Sequence, residues 1–343
     1  MKPILCNYYL TYRCNARCVF CDIWRLPRTR DALPETVLAN LIGIRRLGCR
    51  FVDFTGGEPL LYSELPLLLR SAKRLGLITS VTTNCLLYPQ RAEELSGLID
   101  LLHFSLDAAT PQLHDQLRRA PCFDRVMESI DKALALGERP DILYTATNQN
   151  AHALDELASL AQRSGLMLIV NPVFSYFGNE ALTNNVLGVL RGSARKPNVY
   201  VNLAFLRVIG EGGNAVSAPR CRAVTSTMVV SPDNHLLLPC FHHRQEAVFI
   251  GGDIAGAWQS SPVRRAERNQ GRYSFCDHCT INCYFDPSFL YKWDGYLWAS
   301  IVSKAKYGFE KYVRPGKWST REGEERNSAP PHALVDSPER PSV

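Results

Sequence analysis

The chain has 343 residues, of which 46% are hydrophobic and 21% are charged, and this composition is typical of a globular protein. It excludes a disordered or collagen-like polymer as the main body. The formal charge of +6 is modest, and no basic stripe with interleaved aromatic residues is present, so nucleic acid is not an expected partner. At about 150 residues per domain, the length predicts about two domains.

Cysteine usage indicates the cellular setting. Twelve cysteines are too few for a disulfide scaffold in a chain of this length. No cleavable leader is expected, because the apolar start at 4–10 is short and interrupted by Asn7. We therefore expect a reducing, cytoplasmic environment in which thiols can hold metal. No transmembrane segment is predicted, because no run of about eighteen apolar residues is present.

Short β-rich runs alternate with amphipathic helical stretches through the first half of the chain, with the strand first in each pair. Strands are predicted at 4–11, 50–55, 77–83, 100–106, 141–147 and 166–173. Helices are predicted at 34–48, 63–76, 91–98, 123–137 and 152–165. Strand and helix units in series favour an α/β fold with a parallel sheet and right-handed crossovers. Six units rather than eight favour a partial, open (β/α)6 TIM-like barrel.

The second half has a different pattern. After Pro172 the chain is irregular and rich in glycine and asparagine through Gly213. Two β-like runs at 225–230 and 235–238 then flank a turn signal and predict a hairpin. A cysteine-rich segment and an aromatic helix at about 288–312 complete the predicted fold.

The chain is therefore expected to have four parts. These are a barrel at 1–190, a linker at 191–219, a small cysteine-rich domain at 220–314 and a tail at 315–343. The tail is predicted to be disordered, because polar residues and proline dominate it. The aromatic helix also carries lysines, which leaves peripheral membrane contact open, although covering the core is the more usual role of such a helix.

Three cysteines stand close together directly after the first predicted strand: Cys14, Cys18 and Cys21. A structural zinc site normally closes with four ligands, and this loop contains no fourth cysteine or histidine. Three thiolates leave one coordination position open. That arrangement suits an iron–sulfur cubane that keeps one iron free for a cofactor or substrate.

This segment resembles the CxxxCxxC signature of the radical S-adenosylmethionine (SAM) superfamily, with Phe20 as the aromatic residue before the last cysteine. The resemblance implies a 4Fe–4S cluster at the three cysteines, whose open iron is chelated by SAM. It also implies an enzyme that cleaves SAM reductively to methionine and a 5′-deoxyadenosyl radical, which abstracts a hydrogen atom from a substrate. A reductase such as flavodoxin or ferredoxin is the expected electron donor.

Polar segments follow the other predicted strands as well. They are Gly56, Gly57, Glu58 and Pro59 after the second strand, Asn84 after the third, Ser105 and Asp107 after the fourth, and Asn148 and Asn150 after the fifth. The carboxyl ends of parallel strands lie on one rim, where the functional loops of barrels gather. Taken one at a time, these residues are also ordinary turn and cap residues.

The resemblance assigns roles to this rim. The GGEP segment is expected to hold the methionine end of SAM, with Glu58 accepting from the cofactor ammonium. Ser105 and Asp107 are expected to contact ribose hydroxyls, and Arg118 to pair with the cofactor carboxylate. Asn148 or Asn150 is the candidate for contact with adenine. Cys85 stands where the family often has glycine after Thr-Asn, which leaves the local turn open.

A second cysteine group surrounds the predicted hairpin and the segment after it: Cys221, Cys240, Cys276, Cys279 and Cys283. It resembles the twitch domain, the shortened form of the SPASM extension, which implies one auxiliary 4Fe–4S cluster. The expected ligands are Cys221, Cys240, Cys276 and Cys279, with Cys283 as an alternative. From the residues alone, a CxxC knuckle also suits structural zinc, and both metals stay open.

The substrate is not readable from the sequence. No peptide-recognition domain is expected before the barrel, which favours a small-molecule or lipid substrate over a ribosomal peptide. Oxidation assisted by the auxiliary cluster is the first expectation for the reaction, with radical addition or C–C bond formation as the alternative. A non-catalytic iron–sulfur or zinc protein, serving electron transfer or as a scaffold, is the alternative from another class.

Overall fold

The computed structural model describes residues 2–27, 30–174, 176 and 178–313, so the predicted tail at 315–343 lies outside the described residues. The strands predicted in the first half are confirmed with ends shifted by at most two residues. They are β1 (Leu5–Thr11), β2 (Phe51–Gly56), β3 (Ile78–Thr83), β4 (Leu101–Ser105), β5 (Asp141–Ala146) and β6 (Leu168–Pro172). Each pairs in parallel with the next, as expected of a partial barrel.

Helices connect these strands. They are α1 (Pro34–Leu47), α2 (Leu65–Arg74), α3 (Tyr88–Leu95), α4 (Pro111–Arg118), α5 (Phe123–Ala135) and α6 (Leu154–Arg163). Proline in the first turn begins α1 and α4, where its missing N–H would have no helical partner. The α1 helix ends at Gly48, whose φ of 103° is left-handed and favours glycine. The short helix α4 is absent from the sequence prediction.

The stretch after β6 that the sequence predicts to be irregular is ordered. It contains α7 (Asn184–Ser193), β7 (Val199–Val201) and α8 (Leu203–Gly210), and β7 pairs in parallel with β6. The prediction is wrong here because β7 has only three residues and α8 is apolar on nearly every side, so neither shows a clear period. The predicted linker at 191–219 therefore contains a seventh parallel strand and a packed helix.

The predicted hairpin consists of β8 (Thr227–Val230) and β9 (His235–Leu238), and β10 (Glu246–Phe249) pairs antiparallel with β9. β8 also pairs in parallel with β1, placing Leu5 opposite Thr227 and Tyr8 opposite Val230. The described strands form one sheet in the order β10-β9-β8-β1-β2-β3-β4-β5-β6-β7. The hairpin of the cysteine-rich part therefore lies beside the first strand of the barrel.

The remaining helices are α9 (Ala223–Ser226), α10 (Ile254–Trp258), α11 (Ser261–Asn269), α12 (Asn282–Ser288) and α13 (Gly295–Gly308). The predicted aromatic helix corresponds to α13 and a π-helical turn after it. Its Tyr296 and Leu297 are buried, whereas Trp298 and Val302 are exposed. Membrane contact through this face stays a prediction. None of the helices in the described part of the chain has the length and hydropathy to span a bilayer.

Alternation along the strands separates the core from the rim. On β2, Val52 and Phe54 are fully buried and belong to the main apolar core with residues of α1 and α2. Thr55, on the other face of the strand, lines a cavity at the carboxyl end of the sheet. The period of two therefore directs apolar side chains to the helices and polar ones to the site.

A buried ion pair attaches the C-terminal helix to the barrel. Lys311 Nζ lies 2.7 Å from Asp141 Oδ2 at the start of β5, and the two side chains are 9% and 1% exposed. The Tyr307 hydroxyl donates to the same oxygen at 2.6 Å. We expect Lys311→Met to lower the free energy of unfolding by roughly 3 kcal/mol, because it leaves a buried carboxylate without its counter-charge.

Urea unfolding followed by circular dichroism measures this effect. The matched control is Lys196→Met, which removes a 2.5 Å pair with Asp155 whose side chains are 40% and 75% exposed. The control is expected to change the unfolding free energy by less than about 1 kcal/mol. Equal changes in the two variants would contradict the importance of the buried pair.

Candidate functional site

A cavity of about 290 Å³ lies at the carboxyl ends of the parallel strands. This volume is close to the lower end of the range for small-ligand pockets, about 300 Å³. Most of the residues predicted for the rim line it. They are Cys14, Cys18, Phe20, Cys21, Gly56, Gly57, Glu58, Asn84, Ser105 and Arg118. The structure thus brings together side chains from four separate loops.

The end of β2 lies directly against the cysteine loop. The Gly57 N–H donates to the Thr11 carbonyl at 2.9 Å, and the Glu58 N–H donates to the Arg13 carbonyl at 2.8 Å. A Cβ on Gly57 would overlap the Arg13 carbonyl oxygen and stand 2.9 Å from Cys14 Cβ. The double glycine is therefore required by close packing of two backbones.

Glu58 links the ends of two strands below the cavity. Its side chain is 2% exposed and accepts from the Leu60 N–H at 3.0 Å, the Thr83 hydroxyl at 2.8 Å and the Asn84 N–H at 2.8 Å. Burial raises the pKa of the Glu58 carboxyl, and these hydrogen bonds oppose the rise. Because Glu58 also lines the cavity, its position fits the predicted acceptor for an ammonium group. Cys85, two residues after Thr83, has a φ of 67°, which explains why glycine suits this turn.

Arg118 and Asp107 form a buried pair at the back of the rim. Arg118 Nε donates to Asp107 Oδ2 at 2.6 Å, and the Thr145 N–H donates to Asp107 Oδ1 at 2.9 Å. Arg118 lines the cavity, whereas Asp107 is completely buried and does not. This departs from the expectation that Asp107 contacts ribose hydroxyls, because its carboxylate is already occupied within the protein.

Asn150 also departs from its expected role. Its side chain is completely buried, with Oδ1 accepting from the Thr147 N–H at 2.7 Å and Nδ2 donating to the Asp107 carbonyl at 3.1 Å. It therefore holds its own loop and does not face the cavity. Asn148 donates to the Ala181 carbonyl at 2.9 Å, outside the cavity. Buried Pro59 begins a short 3-10 helix and does not line the cavity either.

The second cysteine group encloses a cavity of its own. Cys221, Cys240, Cys276 and Cys279 line it together, whereas Cys283 on α12 does not. The predicted four-ligand set is thus brought together without the alternative residue. The His243 N–H donates to Cys240 Sγ at 3.4 Å.

Asn214 organises this second group and carries no motif that the sequence would reveal. It is 1% exposed, and its side-chain amide donates to the Cys276 carbonyl at 3.0 Å and accepts from the Cys221 N–H at 3.3 Å. Its backbone N–H donates to the Cys279 carbonyl at 3.0 Å. Asn214 therefore binds the backbone of three of the four cysteines.

An aromatic wall faces the first cysteine loop across the cavity: Phe174, Tyr176, Phe241 and His242. Phe241 stacks on Tyr9 with ring centroids 4.2 Å apart. Burial lowers the pKa of His242 to about 3, so this imidazole is neutral. The sequence prediction does not include this wall. The position of Phe241 and His242 directly after the predicted ligand Cys240 could have indicated that they lie near a site. The cavity thus extends from the first cysteine loop to the two residues that follow Cys240.

Comparison with known proteins identifies the family. Residues 8–161 match the family model described as the radical SAM superfamily. The chain is 30% identical over 243 residues to "Probable GTP 3′,8-cyclase" of Sulfolobus acidocaldarius, and the match covers 64% of this chain and 76% of that protein. The chain belongs to the radical SAM superfamily. A radical SAM enzyme binds SAM at a 4Fe–4S cluster, which confirms the class of activity that the CxxxCxxC motif predicts.

Further relatives and solved structures are also similar to this chain. A protein of the same name from Sulfurisphaera tokodaii is 27% identical over 239 residues, covering 64% of this chain and 76% of that protein. Streptococcus suis SuiB bound to precursor peptide SuiA has a TM-score of 0.67 at 19% identity, covering 81% of this chain and 70% of that one. The protein anSMEcpe with bound AdoMet has a TM-score of 0.61 at 15% identity, covering 94% and 97%. These structures confirm the α/β fold.

Neither cysteine group in the described part of the chain gathers three ligand atoms within 4.8 Å of one another. Among the described residues, the only trio of histidine, cysteine or acidic side chains with ligand atoms within 4.8 Å of one another is His114, Asp115 and Cys122. A tetrahedral zinc ion would hold its thiolate sulfurs about 3.8 Å apart. A cubane binds each thiolate through a different iron and separates the sulfurs further. Neither described cysteine group is therefore arranged as a closed tetrahedral zinc site, and an iron–sulfur cluster or zinc at the second group stays a prediction.

The contact between Gly57 and the cysteine loop can be tested. We expect the Gly57→Ala variant not to hold the iron of the cluster predicted at Cys14, Cys18 and Cys21 and not to bind SAM. The reason is that the added Cβ displaces Arg13 and Cys14. Iron and sulfide analysis after anaerobic reconstitution, together with SAM titration, measures both effects. The control is Gly188→Ala on α7, where a Cβ meets nothing within 4 Å and full loading is expected. Full loading and SAM binding in Gly57→Ala would refute the packing argument.

Proposed function

We propose that the protein holds SAM on a 4Fe–4S cluster at Cys14, Cys18 and Cys21 and abstracts a hydrogen atom from a substrate that binds beside SAM in the same cavity. The observation that carries this proposal is one cavity that is lined by all three cysteines of the first loop, by the end of β2 and by the residues after Cys240. When bound, the cluster and SAM supply the 5′-deoxyadenosyl radical. The protein supplies orientation and excludes water.

The residues that hold SAM are those that line the cavity. Glu58 accepts from the cofactor ammonium, and the open backbone at Gly56 and Gly57 receives the methionine end. Asn84 and Ser105 are the remaining polar side chains of the proposed SAM site that face the cavity. Asp107 and Asn150 lie behind the residues that line the cavity. Asp107 positions Arg118, and Asn150 positions the loop after β5.

An auxiliary 4Fe–4S cluster is proposed at Cys221, Cys240, Cys276 and Cys279, which line one cavity. Four thiolates leave no iron open to a substrate, so this cluster serves electron transfer. When bound, this cluster would supply an acceptor for one electron, so that loss of a hydrogen atom, an electron and a proton from the substrate would amount to a two-electron oxidation. Flavodoxin or ferredoxin is the proposed donor of the electron that begins SAM cleavage.

The proposed substrate is an uncharged small molecule or lipid rather than a nucleoside triphosphate. Among the described residues lining the cavity, Arg118 is the one lysine or arginine, and it is paired with Asp107. Asp22 also faces the cavity and would repel phosphate. A triphosphate needs several cationic donors, whereas the aromatic wall suits an apolar group.

Two sets of cysteine variants separate the proposed clusters. Replacing Cys14, Cys18 and Cys21 with alanine is expected to abolish the release of 5′-deoxyadenosine from SAM and dithionite under anaerobic conditions. Replacing Cys276 and Cys279 is expected to spare that release and to reduce the iron from about eight to about four atoms per chain. Cys283→Ala is the matched control and is expected to keep all the iron. Continued 5′-deoxyadenosine release by the triple variant would refute the site assignment.

The substrate proposal predicts that GTP is not consumed. The reconstituted protein is incubated with SAM, dithionite and GTP, and products are separated by liquid chromatography with mass detection. Slow release of 5′-deoxyadenosine is expected at the same rate with and without GTP, which also shows that the preparation is active. Stimulation by GTP together with a cyclised nucleotide product would show that this chain acts on the substrate for which its relatives are named.

A further inference from the structure

We infer that Arg118 raises the reduction potential of the first cluster by donating a hydrogen bond to the sulfur of Cys18. This inference rests on the proposed function, because it requires a cluster at Cys14, Cys18 and Cys21. It gives Arg118 a role toward a cluster ligand, distinct from the predicted pairing with the cofactor carboxylate. Arg118 acts here as a positioning and tuning residue.

The contact is direct and buried. Arg118 Nη1 lies 3.7 Å from Cys18 Sγ, within hydrogen-bonding distance for a sulfur acceptor. Arg118 is 8% exposed and Cys18 is 9% exposed, so solvent screens their interaction weakly. The guanidinium carbon also lies 5.2 Å from the centroid of the Phe20 ring, which restricts its movement on one side.

Backbone hydrogen bonds hold Arg118 next to Cys18. The Arg17 N–H donates to the Arg118 carbonyl at 3.1 Å, and the Val19 N–H donates to the Leu117 carbonyl at 2.9 Å. These donors stand on either side of Cys18 in the chain. The last turn of α4 is therefore attached to the cysteine loop at the point where the side chains of Arg118 and Cys18 meet.

Asp107 sets the orientation of the guanidinium. It binds Nε, which leaves Nη1 directed at the sulfur. Asp107 is itself fixed twice, since its backbone N–H donates to His114 Nδ1 at 3.1 Å and its carboxylate accepts from the Thr145 N–H at 2.9 Å. His114 Nε2 in turn lies 3.2 Å from Cys122 Sγ. The buried side chains of Asp107 and His114 thus fix one cationic donor on the predicted cluster ligand Cys18.

The sign of the effect follows from charge. Reduction adds an electron to the cluster, and part of that charge resides on the thiolate sulfurs. A cation and an N–H donor at Cys18 stabilise the reduced form more than the oxidised form, so the potential rises. Removing the cation lowers the potential, and removing the Asp107 charge while keeping Arg118 raises it.

A redox titration monitored by electron paramagnetic resonance tests this inference on the full chain without SAM. The signal of the first cluster is the one that is lost in Cys18→Ala. Arg118→Met, which is similar in length but neutral, is expected to lower the midpoint potential of that signal. Arg118→Lys, which keeps the charge, is expected to recover part of the difference.

A second variant, Asp107→Asn, is measured in the same titration and is expected to have a higher midpoint potential. A purely structural role for Arg118 would not produce opposite shifts in the two variants. If Arg118→Met and Asp107→Asn both load the cluster and both have the midpoint potential of the unsubstituted protein, the inference is overturned. If Arg118→Met does not load a cluster, an unchanged or lowered midpoint in Asp107→Asn overturns it instead. A parent protein without a reducible cluster at this position would contradict the proposed function itself.

Discussion

Attachment of the cysteine loop to its surroundings is the constraint on which the site depends. The end of β2 approaches it on one side through Gly57, whose N–H binds the Thr11 carbonyl. The last turn of α4 binds it on the other side through the N–H groups of Arg17 and Val19. Because these bonds are made by the backbone, the positions of the three thiols are set by the path of the chain rather than by the identity of the residues between them.

The second constraint is the pairing of β8 with β1. It places the hairpin beside the strand that leads into the first cysteine loop, and cysteines of both groups pack in one apolar cluster. Cys240 follows the hairpin, and Phe241 and His242 after it reach the cavity. The position of these two side chains at the cavity is therefore a result of strand pairing.

Local sequence patterns predict much of the barrel and half of the site. The strands alternate in polarity, and their carboxyl ends share a rim, so Glu58 and Ser105 were placed correctly at the cavity. Local patterns fail where the deciding partner is distant in sequence. Asp107 and Asn150 are predicted to contact the cofactor, yet both are completely buried and form hydrogen bonds within the protein. One of these partners, Thr145, lies 38 residues from Asp107 in the sequence. Asn214 and the strand β7 carry no periodic signal at all.

Continuity of the sheet restricts how this protein can be divided. A cut between barrel and cysteine-rich part would leave the outer edge of β1 without its neighbour, presenting bare backbone donors and acceptors to other chains. The halves are therefore not interchangeable modules. Replacing one with a counterpart from another enzyme would need a matching edge strand before any question of chemistry arises.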